Sequence, residues 1–232
     1  VKKTAGHIKH SNRADIFKHK GIIANPNCST IQLVMALKPL DSLFRIKRVV
    51  VSTYQSVSGA GHKGISSLET EIKNLAPEPS VNPFPLRIAY NVLPQVDIFF
   101  DDGYTKEEYK MINETRKILG KKDLNVTATC VRVPVWVGHS ESVNIEFDKK
   151  VSPADIKDAL KSFKGITVVD DPAKNIYPMP IDCADKDDVF VGRIRKDNSV
   201  KNGINLWIVS DNVRKGAATN AVQIAEECIK GK

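Results

Sequence analysis

Cys28 stands where a short apolar stretch, Gly21-Ile22-Ile23-Ala24, breaks at Asn25-Pro26-Asn27 and an apolar run, Ile31 to Leu37, begins. A thiol in the first turn of a helix feels unpaired backbone N–H groups and the positive end of the helix dipole, which favour the nucleophilic thiolate. Taken alone, Cys28 is as much a core filler as a nucleophile, because unpaired cysteine is among the most buried residue types. Four further positions carry chemistry. His139, in Gly138-His139-Ser140-Glu141, is a general acid or base if the flanking segments hold it rigidly. Arg132, if enclosed, needs an anion. Glu107 and Lys110 share the first turn of a helix at i,i+3 and, read alone, form a solvated ion pair.

The elements that must position these groups follow from periodicity. Ile31 to Leu37 is apolar nearly all round and predicts a buried helix stopping at Pro39. Ile46 to Gln55 is rich in β-branched residues and predicts a strand that runs into Ser58-Gly59-Ala60-Gly61-His62-Lys63-Gly64. That turn opens a helix with a stripe at Leu68, Ile72 and Leu75. It exposes backbone N–H groups to a phosphate, although its spacing is not G-x-G-x-x-G. Pro77 to Pro94 reads as a long loop. Thr105 and Glu108 form a capping box ahead of the stripe Met111, Ile112, Thr115, Ile118 and Leu119, which ends at Gly120. Val131, Val133, Val135 and Val137, then Val143, Ile145 and Phe147, alternate as a β-hairpin with His139 in its turn. Ser152-Pro153 opens another helix to residue 164, and a strand over 203–212 precedes an alanine-rich helix ending near Ile229.

The 232 residues suffice for one large or two small domains. No apolar run reaches the ~18 residues that span a bilayer, so the expectation is a cytoplasmic protein without a membrane partner. The sequons at Asn27, Asn113 and Asn125 are then accidental. Cys28, Cys130, Cys183 and Cys228 are widely spaced with no C-x-x-C pair, which argues for reduced thiols and against a metal site. Of the formal net charge of +8, residues 1–20 carry +5, from six basic residues against Asp15. The remainder is nearly balanced, and the basic opening lacks interleaved aromatics, so no nucleic-acid partner is expected.

Taken in order and spacing, these segments resemble the aspartate-β-semialdehyde dehydrogenase family over roughly residues 21–232. The resemblance is carried by Ala24-Asn25-Pro26-Asn27-Cys28-Ser29-Thr30, by Thr53-Tyr54-Gln55-Ser56-Val57-Ser58-Gly59-Ala60-Gly61, by the helix from Glu107, by Arg132-Val133-Pro134-Val135 through His139-Ser140-Glu141, and by Val191-Gly192-Arg193 through Leu206-Trp207 to Lys215-Gly216-Ala217-Ala218-Thr219-Asn220. It implies Cys28 as nucleophile, His139 as acid/base and Gln55 as the group that orients the acyl carbon. Asn27, Glu107, Lys110 and Arg132 would bind substrate, with Arg132 clamping its α-carboxylate, Glu107 taking the ammonium and Lys110 the phosphate. Ser58, Gly59, Gly61 and Asn212 would touch NADP. The implied reaction interconverts β-aspartyl phosphate and L-aspartate 4-semialdehyde, in the pathway to lysine, methionine and threonine. A thiolate suits it, because it attacks, carries the acyl group as a thioester, and leaves readily.

The family's nucleotide-binding half lies before the cysteine, whereas only twenty residues precede Gly21 here, with one glycine, Gly6, and no phosphate-binding fingerprint. The expected division is a basic segment 1–20 that does not match the family, a catalytic and dimerisation domain 21–205, and a last strand and helix 206–232 that in the family packs on the nucleotide domain. On this reading the chain alone binds NADPH weakly or not at all. The alternatives are a non-catalytic oligomerisation domain of the same fold and an N-acetyl-glutamyl-phosphate reductase, which uses a similar cysteine. The expected fold is α+β, a mixed sheet with helices on one face, similar to the C-terminal domain of glyceraldehyde-3-phosphate dehydrogenase. The open sheet face would make a homodimer.

Overall fold

A computed structural model describes residues 4–5, 11–19, 21–74 and 83–230. In chain order the elements are β1 (Thr4–Ala5), α1 (Arg13–Ile16), β2 (Ile23–Ala24), α2 (Cys28–Phe44), β3 (Ile46–Gln55), a 3-10 turn (Val57–Ala60), α3 (Gly61–Lys73), α4 (Lys106–Leu119), β4 (Asn125–Arg132) and β5 (His139–Phe147). Then come α5 (Pro153–Lys161), β6 (Ile166–Val168), α6 (Pro180–Cys183), β7 (Val189–Asp197), β8 (Gly203–Ser210), a π-helical turn (Arg214–Ala218) and α7 (Thr219–Lys230).

Six strands form one mixed sheet in the order β4-β3-β5-β8-β7-β6. β3 runs parallel to β4 and antiparallel to β5, and β8 lies antiparallel to both of its neighbours. Inward side chains alternate along each strand: Val49, Val51, Thr53 and Gln55 on β3, and His139, Glu141, Val143, Ile145 and Phe147 on β5. Helices α2, α4 and α5 cover that face. The opposite face carries Tyr54 and Trp207, whose rings meet at 5.4 Å. The expected α+β architecture, with helices on one face, is what the chain adopts.

α2 is the central helix. Ile31, Leu33, Val34, Met35, Ala36, Leu37 and Leu40 are all fully enclosed, as an all-round apolar helix requires. Its start is set by Asn27, whose side chain accepts from Thr30 N–H at 3.1 Å. Its end is not at Pro39. The helix continues through the proline to Phe44, because packing on both sides holds it, and turns only at Arg45 with φ 60°. α4 carries the expected capping box between Thr105 and Glu108, and Glu108 Oε1 also accepts from Cys130 N–H at 2.9 Å, tying the helix to β4.

Two other expectations give way. β4 and β5 are not a hairpin: β3 lies between them, so residues 133–138 cross over the end of β3, and His139 is the first residue of a central strand rather than a turn residue. In α3 the stripe is Leu68 and Glu71 rather than Leu68 and Ile72. Ile72 is exposed, while the Glu71 carboxylate accepts the N–H groups of Ile88 and Ala89 at 2.8 Å each. Leu75 and the first part of the Pro77 to Pro94 loop, residues 75–82, lie outside the described residues, as do residues 1–3, 6–10 and 20 of the basic opening segment. Within that opening segment, α1 docks Ile16 into the interior, and Arg13 pairs with Glu227 of α7. The junction at 205/206 falls inside β8.

Candidate active site

One end of the sheet gathers the chemistry. β3 finishes at Gln55, β4 finishes beside it at Arg132, β5 begins at His139, and β8 finishes at Ser210, which pairs with His139. Cys28 begins the helix lying across that end. Residues far apart in sequence therefore meet because five elements start or stop at the same level.

Glu107 is the hub on the helical side. Its Oε1 accepts from Asn27 Nδ2 at 2.8 Å and Gln55 Nε2 at 3.1 Å, and its Oε2 is 3.2 Å from Lys110 Nζ. Glu107 and Lys110, which in isolation read as a solvated pair, form one with a nearly buried carboxylate. Lys110 also reaches Asp97 at 3.1 Å. Gln55 donates closely to Ser29 Oγ, next to the cysteine. Glu114, two turns beyond Glu107 on α4, accepts from Asn27 N–H at 2.8 Å. Burial pushes its carboxyl upward, and the Asn27 and Thr30 donors partly oppose that.

The other side is built from Arg132 and His139. Arg132 is buried, donates from Nη1 to Ser56 C=O at 2.8 Å, and lies 5.7 Å from the Phe84 ring centre. Among the described residues it forms no ion pair, which leaves the rest of its fork free for an anion. It lines a cleft of about 420 Å³ with Phe84, Gln95, Asp97 and Ile98. A wider groove of about 750 Å³ runs over the outer face of α4 past Lys106, Tyr109, Lys110 and Glu114. Asp97 borders the first and Lys110 the second, so their contact marks where the two openings adjoin.

Protonation states differ from what local sequence suggests. Cys28 does sit at a helix N-terminus, yet burial, then the negative charge of Glu107, push its thiol up to about 11. The Ser29 donors and Arg132 oppose this without overcoming it. The dipole loses because its worth is ~0.3–1 kcal/mol near a surface, less than the cost of stripping water from a thiolate. His139 is driven well below the usual histidine value, first by complete burial and then by Arg132. It is a neutral ring at neutral pH, not one poised between two states. Arg132 and His139 stand side by side at Gly59, and Arg132 also acts electrostatically on Cys28.

Ser58, Gly59, Gly61 and Asn212 divide into two kinds. A Cβ on Gly59 would lie 2.6 Å from Arg132 Nη1 and 3.3 Å from His139 Nε2, so the missing side chain is what lets those groups approach. Gly61, with φ 71° and ψ −161°, faces open space. These two leave backbone accessible to a nicotinamide cofactor and fit one. Ser58 and Asn212 are both buried and bond each other at 3.0 Å, and Asn212 Oδ1 also accepts from Gly138 N–H at 2.9 Å. They brace the approach to His139. Gly216, in the π-helical turn, would put a Cβ 3.0 Å from Cys28 Cβ, so the last helix enters directly over the thiol.

Ser29, Ser56, Phe84, Asp97 and Glu114 are site residues that motif reading passes over. Glu114 had a legible signal, lying seven residues after Glu107 and thus on the same helix face. Phe84 and Asp97 sit in irregular segments with none.

Fold and side chains together define a thiol-centred site at the end of a mixed sheet. Residues 37–215 match the family model for the semialdehyde dehydrogenase dimerisation domain. The chain is 56% identical over 217 residues to the aspartate-semialdehyde dehydrogenase of Aquifex aeolicus, covering 92% of this chain and 64% of that protein. It is also similar to the crystal structure of Vibrio cholerae aspartate semialdehyde dehydrogenase II complexed with ASA, with a TM-score of 0.93, 45% identity, and 98% of this chain and 68% of that one covered. The Candida albicans enzyme solved with NADP gives a TM-score of 0.73 at 26% identity, covering 98% of this chain and 66% of that one. The chain belongs to the aspartate-semialdehyde dehydrogenase family, and it spans about two thirds of the length of the relatives it matches.

Proposed function

We propose that this chain carries the acylation site of an NADP-dependent oxidoreductase interconverting β-aspartyl phosphate and L-aspartate 4-semialdehyde plus phosphate through a Cys28 thioester, working in the cytoplasm. The observation that carries the reading is the convergence on Cys28 of an acidic hub, Glu107 with Asn27, Gln55 and Lys110, and of a buried guanidinium, Arg132, that forms no ion pair among the described residues. An amino acid substrate has an ammonium and a carboxylate, and this site offers one partner for each.

Arg132 receives the α-carboxylate in a two-pronged contact, Glu107 receives the ammonium, and Lys110 steadies the phosphate. An ammonium on Glu107 offsets the charge that helps hold the thiol up, so binding itself favours thiolate. Cys28 Sγ then bonds to the β-carbonyl carbon, the carbon–oxygen bond to phosphate breaks, and phosphate leaves with Lys110 nearby. Gln55 fixes the acyl group, His139 donates to the developing oxyanion, and the Cys28 proton leaves on the departing phosphate. Gly59 and Gly61 would border NADP, which when bound supplies the hydride that takes the thioester to the aldehyde level. The uncovered sheet face with Tyr54 and Trp207 would meet a second copy to form the homodimer.

The test is acylation, which needs no hydride. β-Aspartyl phosphate added to the chain forms a covalent adduct on Cys28, read by mass spectrometry, and Cys28→Ser forms none. An unmodified wild-type chain under these conditions favours the oligomerisation-domain reading instead.

A further inference from the structure

Ser56 follows β3 in extended backbone, φ −63° and ψ 156°. Its amide N–H points at His139 Nδ1 with a nitrogen–nitrogen distance of 3.1 Å. A backbone amide can only donate, so Nδ1 must present a lone pair. The one ring proton of a neutral imidazole then resides on Nε2. Complete burial and the neighbouring Arg132 charge both keep the ring neutral.

A backbone bond at Gly138 favours a ring N–H, while the side-chain bonds favour the lone pair on Nδ1. Ser56 Oγ lies 3.0 Å from Nδ1 and 3.0 Å from Asn212 Oδ1. With Nδ1 served by the amide, the single hydroxyl proton is available to Asn212. Asn212 also holds Gly138, the residue before His139. Both the donor and the ring it faces are therefore anchored to the same amide side chain. At the far edge of the ring, Nε2 is buried and without a partner among the described residues. It lies close to the position a Gly59 Cβ would occupy, and so does Arg132 Nη1.

We infer that the Ser56 backbone N–H holds His139 as the Nε2–H tautomer, so that His139 and Arg132 present two donors to one space beside Gly59 and His139 meets its ligand by donating a hydrogen bond. Ser56 is a positioning residue. In this state Nε2 has no lone pair with which to take the Cys28 proton. A role as base requires the ring first to break the Ser56 contact. The inference rests on the proposed function only in naming the acceptor, an anionic oxygen of the acyl substrate; the tautomer itself does not depend on it.

The experiment is long-range proton–nitrogen correlation NMR on the full chain labelled with ¹⁵N-histidine, with the His139 signals assigned by their loss in His139→Asn. Between about pH 6 and about pH 8, where a free histidine changes charge, His139 is expected to keep an unprotonated Nδ1 and a protonated Nε2. A protonated Nδ1 overturns the inference. Ser56→Ala removes the hydroxyl and keeps the amide, so its pattern should match the wild type; a proton moved to Nδ1 there would make the hydroxyl the determinant and sink the assignment to the backbone. The acylation test separates the two readings. A chain that is not acylated but shows the Nε2–H pattern loses the proposed function alone, and an acylated chain with a protonated Nδ1 loses this inference alone.

Discussion

The helical half of the site and the sheet half are built on opposite principles. Around Glu107 the donors are paired: Asn27, Gln55 and Lys110 all converge on one carboxylate, and Asn27 is held in addition by Glu114, with Gln55 Oε1 alone left without a partner among the described residues. Around Arg132 and His139 they are not. Arg132 has a carbonyl and an aromatic face but no anion among the described residues, and His139 Nε2 is buried with no acceptor. A buried unsatisfied donor costs roughly 1–3 kcal/mol. The first half is thus preassembled and the second is held open at a cost that an anionic ligand relieves. On the proposed function, such a site gains more from its ligand's carboxylate than from its ammonium.

The largest expected effect breaks the open half. Gly59→Ala puts a methyl group against Arg132 and His139, and should lower the rate of Cys28 acylation by roughly 100-fold, since misplacement of catalytic groups by about 1 Å has that scale. Gly61→Ala is the matched control. It meets no atom, costs about 1–3 kcal/mol through its backbone conformation alone, and should spare acylation by the folded fraction. Chemical denaturation alongside the acylation rate separates the two.

Glu107→Gln tests the preassembled half. It leaves one carbonyl oxygen for Asn27 and Gln55 but puts an NH2 where Oε2 met Lys110, and should cost about 1–3 kcal/mol of stability. It also removes a charge that holds the Cys28 thiol up to about 11, so alkylation by iodoacetamide should become faster at a given pH. An unchanged alkylation profile would mean that the carboxylate does not act on the thiol.

Smaller effects come from the groups behind the site. Glu141, directly below His139 on β5, is fully enclosed, and burial raises its carboxyl well above the usual range. Its folded value exceeds its unfolded one, so its contribution to stability is present at low pH and is lost as pH rises above the ordinary glutamate range. Glu141→Gln should narrow the gap in unfolding free energy between mildly acidic and mildly alkaline buffer. Arg132→Met should let His139 protonate at a higher pH than in the wild type, because it deletes the second-largest cause of the depressed value. NMR titration reads that directly, and an unmoved ring would put Arg132 out of electrostatic reach.

Local signals were legible where a few consecutive residues suffice. The capping box at Thr105 and Glu108 formed as spaced, the all-round apolar pattern after Cys28 gave the buried helix, and the alternation in β5 put the right residues inward. They misled where neighbours in sequence are not neighbours in space. Two alternating runs looked like a hairpin until β3 came between them, and Pro39 looked like a stop until packing carried the helix past it. At the site, Cys28, Glu107, Arg132 and His139 were nameable from motif order. Ser56 was not, because its role lies in a backbone N–H that every non-proline residue has.

The sequence by itself determined which chemical groups are available and which short segments cap, coil or extend, since those depend on bonds spanning a few residues. Only the tertiary structure decided how those groups are charged. Cys28 keeps its proton and His139 lacks one because burial removes water from both, and Glu107 and Arg132 reach them from elements dozens of residues away. Desolvation and Coulomb forces act through space, and no spacing along the chain records them.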